Sequence, residues 1–201
     1  MTDVPVPGKP ELRWLGAAEP STYGAVHRVV AAVMERQGAV GWLGVPSLAE
    51  TTAWLDDILA AVAAGQARLA VVLLDGRIEA LGRWVRYEKP TVAINADVQQ
   101  VMVHPAGRGR GLARLVVAAL VADARSAGIE TLTLDVRGNN HAAMALYESV
   151  GFVVCGRLPD FVAVGADRWD RVLYRRDLRN PDAAVRRHGG RPFGAGASSV
   201  R

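Results

Sequence analysis

Hydrophobic and polar positions change period several times along the chain, and each change predicts an element. Glu11 to Leu15 has the short alternation of a first strand. Ser21 or Thr22 can cap a helix through about Arg36, and Ser47-Leu48-Ala49-Glu50 has the spacing of a capping box for a second helix that Gly65 ends. Leu69–Leu74 and Arg77–Tyr87 flank Asp75-Gly76, a pair that tolerates the positive φ angles of a two-residue hairpin, and Val92–Val103 supplies the next strand. Leu112–Ser126 is an apolar, alanine-rich helix. Ile129–Val136 alternates again, with Ile129, Thr131, Thr133 and Asp135 on one face and Glu130, Leu132, Leu134 and Val136 on the other. Ala142–Val150 reads as a helix, and Phe152–Arg157 and Arg171–Leu178 as two strands separated by an irregular Leu158–Asp170 segment. The sum is an α/β (α+β) domain: a mixed, mostly antiparallel central sheet flanked by helices on both faces.

The junction between the Val98–Val103 strand and the Leu112 helix carries the first chemical signal. Pro105 ends the strand, because it cannot donate to a ladder and restricts the residue before it. In Arg108-Gly109-Arg110-Gly111-Leu112-Ala113 the glycines let backbone approach a ligand, and the helix that follows opens its unpaired N–H groups onto the loop. Those groups favour an anion, and Arg108 and Arg110 add forked cations suited to phosphate oxygens. The loop is not a Walker motif, since no lysine follows Gly111, nor a GxGxxG fingerprint, since Arg114 stands at the third glycine position.

The second signal lies some thirty residues on. Gly138-Asn139-Asn140 is a turn with two possible helix caps, and Gly151 can stop the next helix in a left-handed conformation. Asn140, Ala143 and Tyr147 recur at spacings of three and four and share one helical face.

Arg108 to Ala113 resembles the acetyl-CoA pyrophosphate loop of the GNAT superfamily of N-acetyltransferases, and Asn140 to Phe152 resembles its NxxAxxxYxxxGF segment. The resemblance covers roughly residues 67 to 178. Leu134 through Phe152 is particularly similar to the ribosomal-protein alanine N-terminal acetyltransferases, which carry Glu where this chain has Asp135. Family membership implies an acetyl-CoA-dependent transfer to a primary amine. It implies a pyrophosphate held by Arg108, Gly109, Arg110, Gly111, Leu112 and Ala113, and a pantetheine arm and thioester held by backbone N–H groups of Val101, Met102 and Val103 where two parallel strands splay apart. Asn140 would bond the pantetheine or cap its helix. Tyr147 would be the general acid on the departing sulfur, protonated at neutral pH by its ordinary pKa of about 10. For the general base two carboxylates stand open, Asp135 and Asp97. An ordinary Asp, near 3.9, is a poor base for a lysine ammonium and a better match for an α-amine. Trp42 lies where the family overhangs the acceptor, so it is a candidate pocket wall or a plug between the first two helices.

Composition bounds the picture. With 201 residues, half of them hydrophobic, the chain suits one ordinary domain over residues 11–178, after a proline-rich leader at 1–10. The net charge of +4 sits in the 179–201 tail, which has five arginines, one acid and the composition of a disordered segment. Apolar stretches break well short of the eighteen or so residues that cross a membrane, and a cytoplasmic location is expected. Cys155, the single cysteine, excludes an internal disulfide and reads as a small core residue. The four histidines lack ligand spacing, and no metal is expected. The expected acceptor is a small amine or a protein N-terminus, and the Trp and apolar residues of the N-terminal half could serve a homodimer as easily as a pocket. Two other functions compete: a CoA-binding regulatory module without turnover, and a nucleic-acid or ribosome-associated protein using the basic tail.

Overall fold

The computed structural model describes residues 8–36 and 41–179. The first seven residues of the leader, residues 37–40 of the loop before Pro46, and the tail beyond Arg179 lie outside the described residues. Among the described residues, seven strands form one sheet in the order β1-β2-β3-β4-β5-β7-β6, from β1 (Glu11–Leu15), β2 (Ala67–Leu74), β3 (Arg77–Arg86), β4 (Asn95–Val103), β5 (Thr131–Arg137), β6 (Val153–Val164) and β7 (Asp167–Asp177). All neighbours are antiparallel except β4 and β5.

The hydrophobic run of β2 is explained by burial on both sides. Leu69, Val71 and Leu73 face α1 (Pro20–Met34) and α2 (Leu48–Ala63), with Ile58, Leu55 and the buried valines of α1 closing that core. Ala70 and Val72 face α3 (Leu112–Ser126), joined by Leu132, Leu134 and Val136 of β5 and by Tyr147 of α4 (His141–Ser149). The expected hairpin has both turn residues at positive φ, Asp75 at 52° and Gly76 at 74°. The capping box forms as read, with Ser47 Oγ accepting from Glu50 N and Glu50 Oε2 accepting from Ser47 N. Helix α3 packs tightly over Gly82, where an added Cβ would lie 2.7 Å from Val116 Cγ1.

Several boundaries move. Helix α1 starts at Pro20 with Glu19 as N-cap, so neither Ser21 nor Thr22 caps it; proline's missing N–H costs nothing at that position. A single 3-10 turn, Pro90–Val92, delays β4 to Asn95, and β5 begins at Thr131. The largest difference is at Leu158–Asp170. It is a continuous hairpin of β6 and β7 with a register shift between Leu158 and Val162, where Asp160 takes a φ of 51°. An edge strand with a bulge accommodates Pro159, which a central strand would not. Cys155 sits on that edge strand and is exposed, so it is not a core residue. Among the described residues no helix is long and apolar enough to cross a membrane.

Candidate active site

The site grows from a fault in β4. Arg83 pairs with Gln99 and Leu81 with Met102, so Gln100 and Val101 together face the single residue Gly82. Gln100 has a φ of 54°, a costly angle for a residue with a Cβ, and the strand bends there. Its parallel register with β5 accordingly covers only Asn95–Asp97 against Thr131–Thr133, and the two strands part beyond it. His104 N–H donates to Glu79 O on β3, 2.8 Å. Strand alternation therefore turns the N–H groups of Val103 and Val101 away from β3, into the opening, and that of Met102 toward β3.

Past β4 a 3-10 turn, Pro105–Gly107, leads into the glycine loop. Gly109 and Gly111 have φ of 75° and 74°, and nothing lies within 4 Å of where a Cβ on either would be. Gly111 is the N-cap of α3 and offers no side chain to its first turn, which also holds no acid. Arg108 and Arg110 are exposed and form no ion pair with a described residue. Leu112 is anchored in the core and Ala113 is partly exposed. Bare N–H groups, two free guanidiniums and open space over the glycines fit a pyrophosphate.

After β5, Asn140 Oδ1 accepts from Ala143 N at 3.2 Å and starts α4. That helix carries Tyr147 into the α3-side core, edge-on to Phe152 at 5.8 Å. The Tyr147 hydroxyl makes no hydrogen bond to a described residue. Burial pushes its pKa well above the ordinary phenol value, and the charges of Asp135 and Asp97 push it the same way.

The two carboxylates lie on the other face of the sheet, which α1 and α2 leave open over β5 and β7. Asp135 is half-exposed and bound by Arg171 Nη2 at 2.6 Å; Arg171 also lies over the Phe161 ring. Asp97 is more enclosed. Its Oδ1 accepts from Thr133 Oγ1 at 2.6 Å and its Oδ2 from Gln99 Nε2 at 3.1 Å. Burial raises the Asp97 carboxyl above the usual range, an effect that those two hydrogen bonds oppose and the nearby Asp135 charge reinforces. Tyr87 Oη is 2.6 Å from Thr133 Oγ1. Since the threonine proton goes to Asp97, Tyr87 must be the donor of that pair. Trp42 packs edge-on to Trp54 of α2 at 5.1 Å and against the α1–α2 core.

Val101, Val103 and Asp97 thus lie on β4 at and beyond the point where it leaves β5, and Asp135 lies on β5. Tyr147 is close enough for the charges of Asp97 and Asp135 to act on it, Asn140 caps α4, and Trp42 stays with the helices. Tyr87, Arg83, Thr133, Gln99 and Arg171 were not singled out in the sequence. Thr133 was readable two residues before Asp135 on the same face; the others enter only through strand register.

Residues 44–152 match the model of the acetyltransferase (GNAT) family. The chain belongs to that family. It is 36% identical over 69 residues to the L-methionine sulfoximine/L-methionine sulfone acetyltransferase of Salmonella typhimurium, a match covering 34% of this chain and 40% of that one. To the ribosomal protein bS18-alanine N-acetyltransferase of the same organism it is 42% identical over 57 residues, 28% of this chain and 38% of that one. The chain thus spans about two fifths of the length of these curated relatives. Among solved structures it resembles that of yncA from Salmonella typhimurium with its cofactor acetyl-CoA, with a TM-score of 0.71 and 20% identity over 84% of this chain and 94% of that one.

Proposed function

We propose that the protein moves the acetyl group of acetyl-CoA to a primary amine, either a small amine or a protein N-terminal α-amine. One observation supports the reading: a buried phenol feels the charge of a partly buried carboxylate on the opposite face of the sheet, and that carboxylate lies on the strand that leads into an anion cradle. Acetyl-CoA supplies a thioester carbon that an uncharged amine attacks directly.

Each residue then has a task. The N–H groups at the start of α3, with Arg108 and Arg110, hold the pyrophosphate. Val101 and Val103 direct N–H groups at the arm and the carbonyl oxygen, where developing negative charge is stabilised. Asn140 holds the start of α4 and with it the register of Tyr147. Asp97 takes the proton of the amine. Of the two carboxylates Asp97 suits this better, because Asp135 is engaged by Arg171 while burial raises the proton affinity of Asp97. Thr133 and Tyr87 extend from Asp97 toward solvent and give the proton a path out. Tyr147 gives a proton to the departing sulfur; its raised pKa keeps that proton available at neutral pH. Residues 11–178 form the catalytic unit in this reading.

Calorimetric titration of acetyl-CoA into wild type and Gly111→Asp tests it. At a φ of 74° Asp is among the better-tolerated side chains, so the substitution chiefly sets a negative charge against the pyrophosphate. Micromolar binding by wild type, weakened at least about tenfold in the variant, is expected from loss of charge-assisted contacts. Equal binding by both would remove the loop from the site, and no binding by wild type would end the acetyltransferase reading.

A further inference from the structure

Arg83 is bound unlike the other partly buried cations. Arg28, Arg68 and Arg171 each pair with a carboxylate, Arg86 and Arg176 donate to backbone carbonyls, and Arg137 donates to the carboxamide of Asn139 two residues away at the exposed end of β5. The Arg83 guanidinium, half-buried on β3, meets only neutral carboxamides. Its Nε donates to Gln100 Oε1 and its Nη2 to Gln99 Oε1, both at 2.7 Å. Nη1 donates to no described residue. Burial lowers the pKa of the guanidinium, and the charge of Asp97 on the far side of Gln99 offsets that only in part; among the described residues no carboxylate touches this enclosed cation. A fold that holds such a cation rigidly, with one edge of its fork free, is arranged for an anion that arrives from outside.

Location says which anion. Gln99 is the link between Arg83 and Asp97: its oxygen accepts from Arg83 and its nitrogen donates to Asp97 at 3.1 Å. The two ends of a carboxamide are about 2.3 Å apart, so Arg83 Nη2 and Asp97 Oδ2 lie within about 8 Å of each other. In a free amino acid the amine and carboxylate are about 3 Å apart, and a hydrogen bond of about 2.8 Å at each end gives a matching reach. The remaining charges on this open face do not change the balance. Asp135 is paired with Arg171, and Arg175, exposed on β7, stands directly beside Thr133 of β5 and adds positive charge that likewise favours an anion. A polyamine would set cations against Arg83, and a protein N-terminus offers a neutral amide where the carboxylate would be.

We propose that the acceptor is a free amino acid whose carboxylate is taken by Arg83 while its amine lies against Asp97. The inference rests on the acetyltransferase reading. In that reaction the amine nitrogen forms the new C–N bond as the C–S bond breaks, Asp97 takes the amine proton, and Tyr147 supplies one to sulfur.

The test is calorimetry on protein saturated with CoA, which has no acetyl group to transfer. The probes are the twenty common L-amino acids, their C-terminal amides and matched dipeptides, and each titration is repeated without CoA. At least one amino acid is expected to bind about tenfold or more tighter than its own amide and dipeptide, the yield of a charge-assisted contact. Arg83→Gln should erase that preference and leave CoA affinity unchanged. Amides or dipeptides binding as well as the acids, or no amino acid binding in either condition, would overturn the proposal. The wild-type comparison of acid with amide stands even where the variant fails to fold. Loss of the acetyltransferase reading looks different: CoA itself would not bind, or acids would be preferred with no thiol released from acetyl-CoA.

Discussion

Gly82→Ala probes the contact on which the site depends. The new methyl would sit 2.7 Å from Val116 Cγ1, 3.2 Å from Val101 Cγ2 and 3.4 Å from Leu120 Cδ1. Val116 and Leu120 are fully buried, and a valine in a helix has essentially one χ1 rotamer, so Val116 cannot swing aside. Relief must come from moving α3 or the β4 bulge at Val101. Overpacking of this kind costs about 1–3 kcal/mol. Against it, replacing glycine by alanine restricts the unfolded chain and returns about 0.4–1 kcal/mol. The overlap wins, and a net loss of about 0.5–2 kcal/mol corresponds to a fall in Tm of roughly 1–8 °C for a domain of this size. Urea unfolding and a thermal scan would measure it, with acetyl-CoA titration on the same samples. Because one of the two yielding elements carries the Val101 N–H, affinity should fall together with stability. A variant as stable as wild type that binds acetyl-CoA equally would refute the argument that α3, Gly82 and the bulge are packed as one unit.

Two further substitutions separate chemistry from packing. Tyr147→Phe keeps the ring against Phe152 and removes a hydroxyl that bonds to no described residue, so stability should stay within about 0.5 kcal/mol of wild type and CoA affinity should hold. Turnover on an acceptor that wild type uses should drop about 10²–10⁴-fold, and thiol release at the wild-type rate would exclude the phenol as acid. Asp97→Asn should abolish most turnover yet stabilise the fold. The folded-state pKa of Asp97 is raised, so its contribution is fully present below the unfolded value and is lost as pH rises through the folded one. Asparagine mimics the protonated form, so the Tm advantage of the variant should grow from acid toward neutral pH. A constant difference across that range would mean that Asp97 is not the strained carboxylate described.

Local chemistry was legible where one stretch of chain specifies its own conformation. The Asp75-Gly76 turn, the Ser47 capping box, the Gly111 entry to α3 and the Asn140 cap are all short-range hydrogen-bond solutions, and the residues that make them are adjacent in sequence. Pro159 misled the reading of β6, because a proline is compatible with a strand only where one edge is unpaired, and edge position is a property of the whole sheet. Cys155 failed for the same reason: Phe152-Val153-Val154 looks like core, yet only Phe152 turns under a helix. The side chains around Asp97 needed register. Thr133 reaches it from β5 and Tyr87 from the end of β3, and no periodicity within either segment reveals that pairing.

The bulge in β4 links the anion cradle to an arginine that is held by carboxamides and touches no carboxylate among the described residues. In a regular strand Gln99 and Gln100 would point to opposite faces, and only one could meet Arg83. With Gln100 at positive φ both carboxamides turn to the same guanidinium, and the pairing of β4 with β5 stops at Asp97, just before the bulge. One inserted residue therefore frees the N–H groups of Val101 and Val103 on one side and builds the Arg83 clamp on the other. Restoring the regular ladder by deleting Gln100 would flip Gln99 relative to Val101 and dismantle both at once, whereas a surface charge change could alter only one. In the proposed reaction, coupling of this kind would tie the position of the thioester to that of the acceptor's carboxylate, so that the distance between the reacting atoms is set by backbone rather than by mobile side chains.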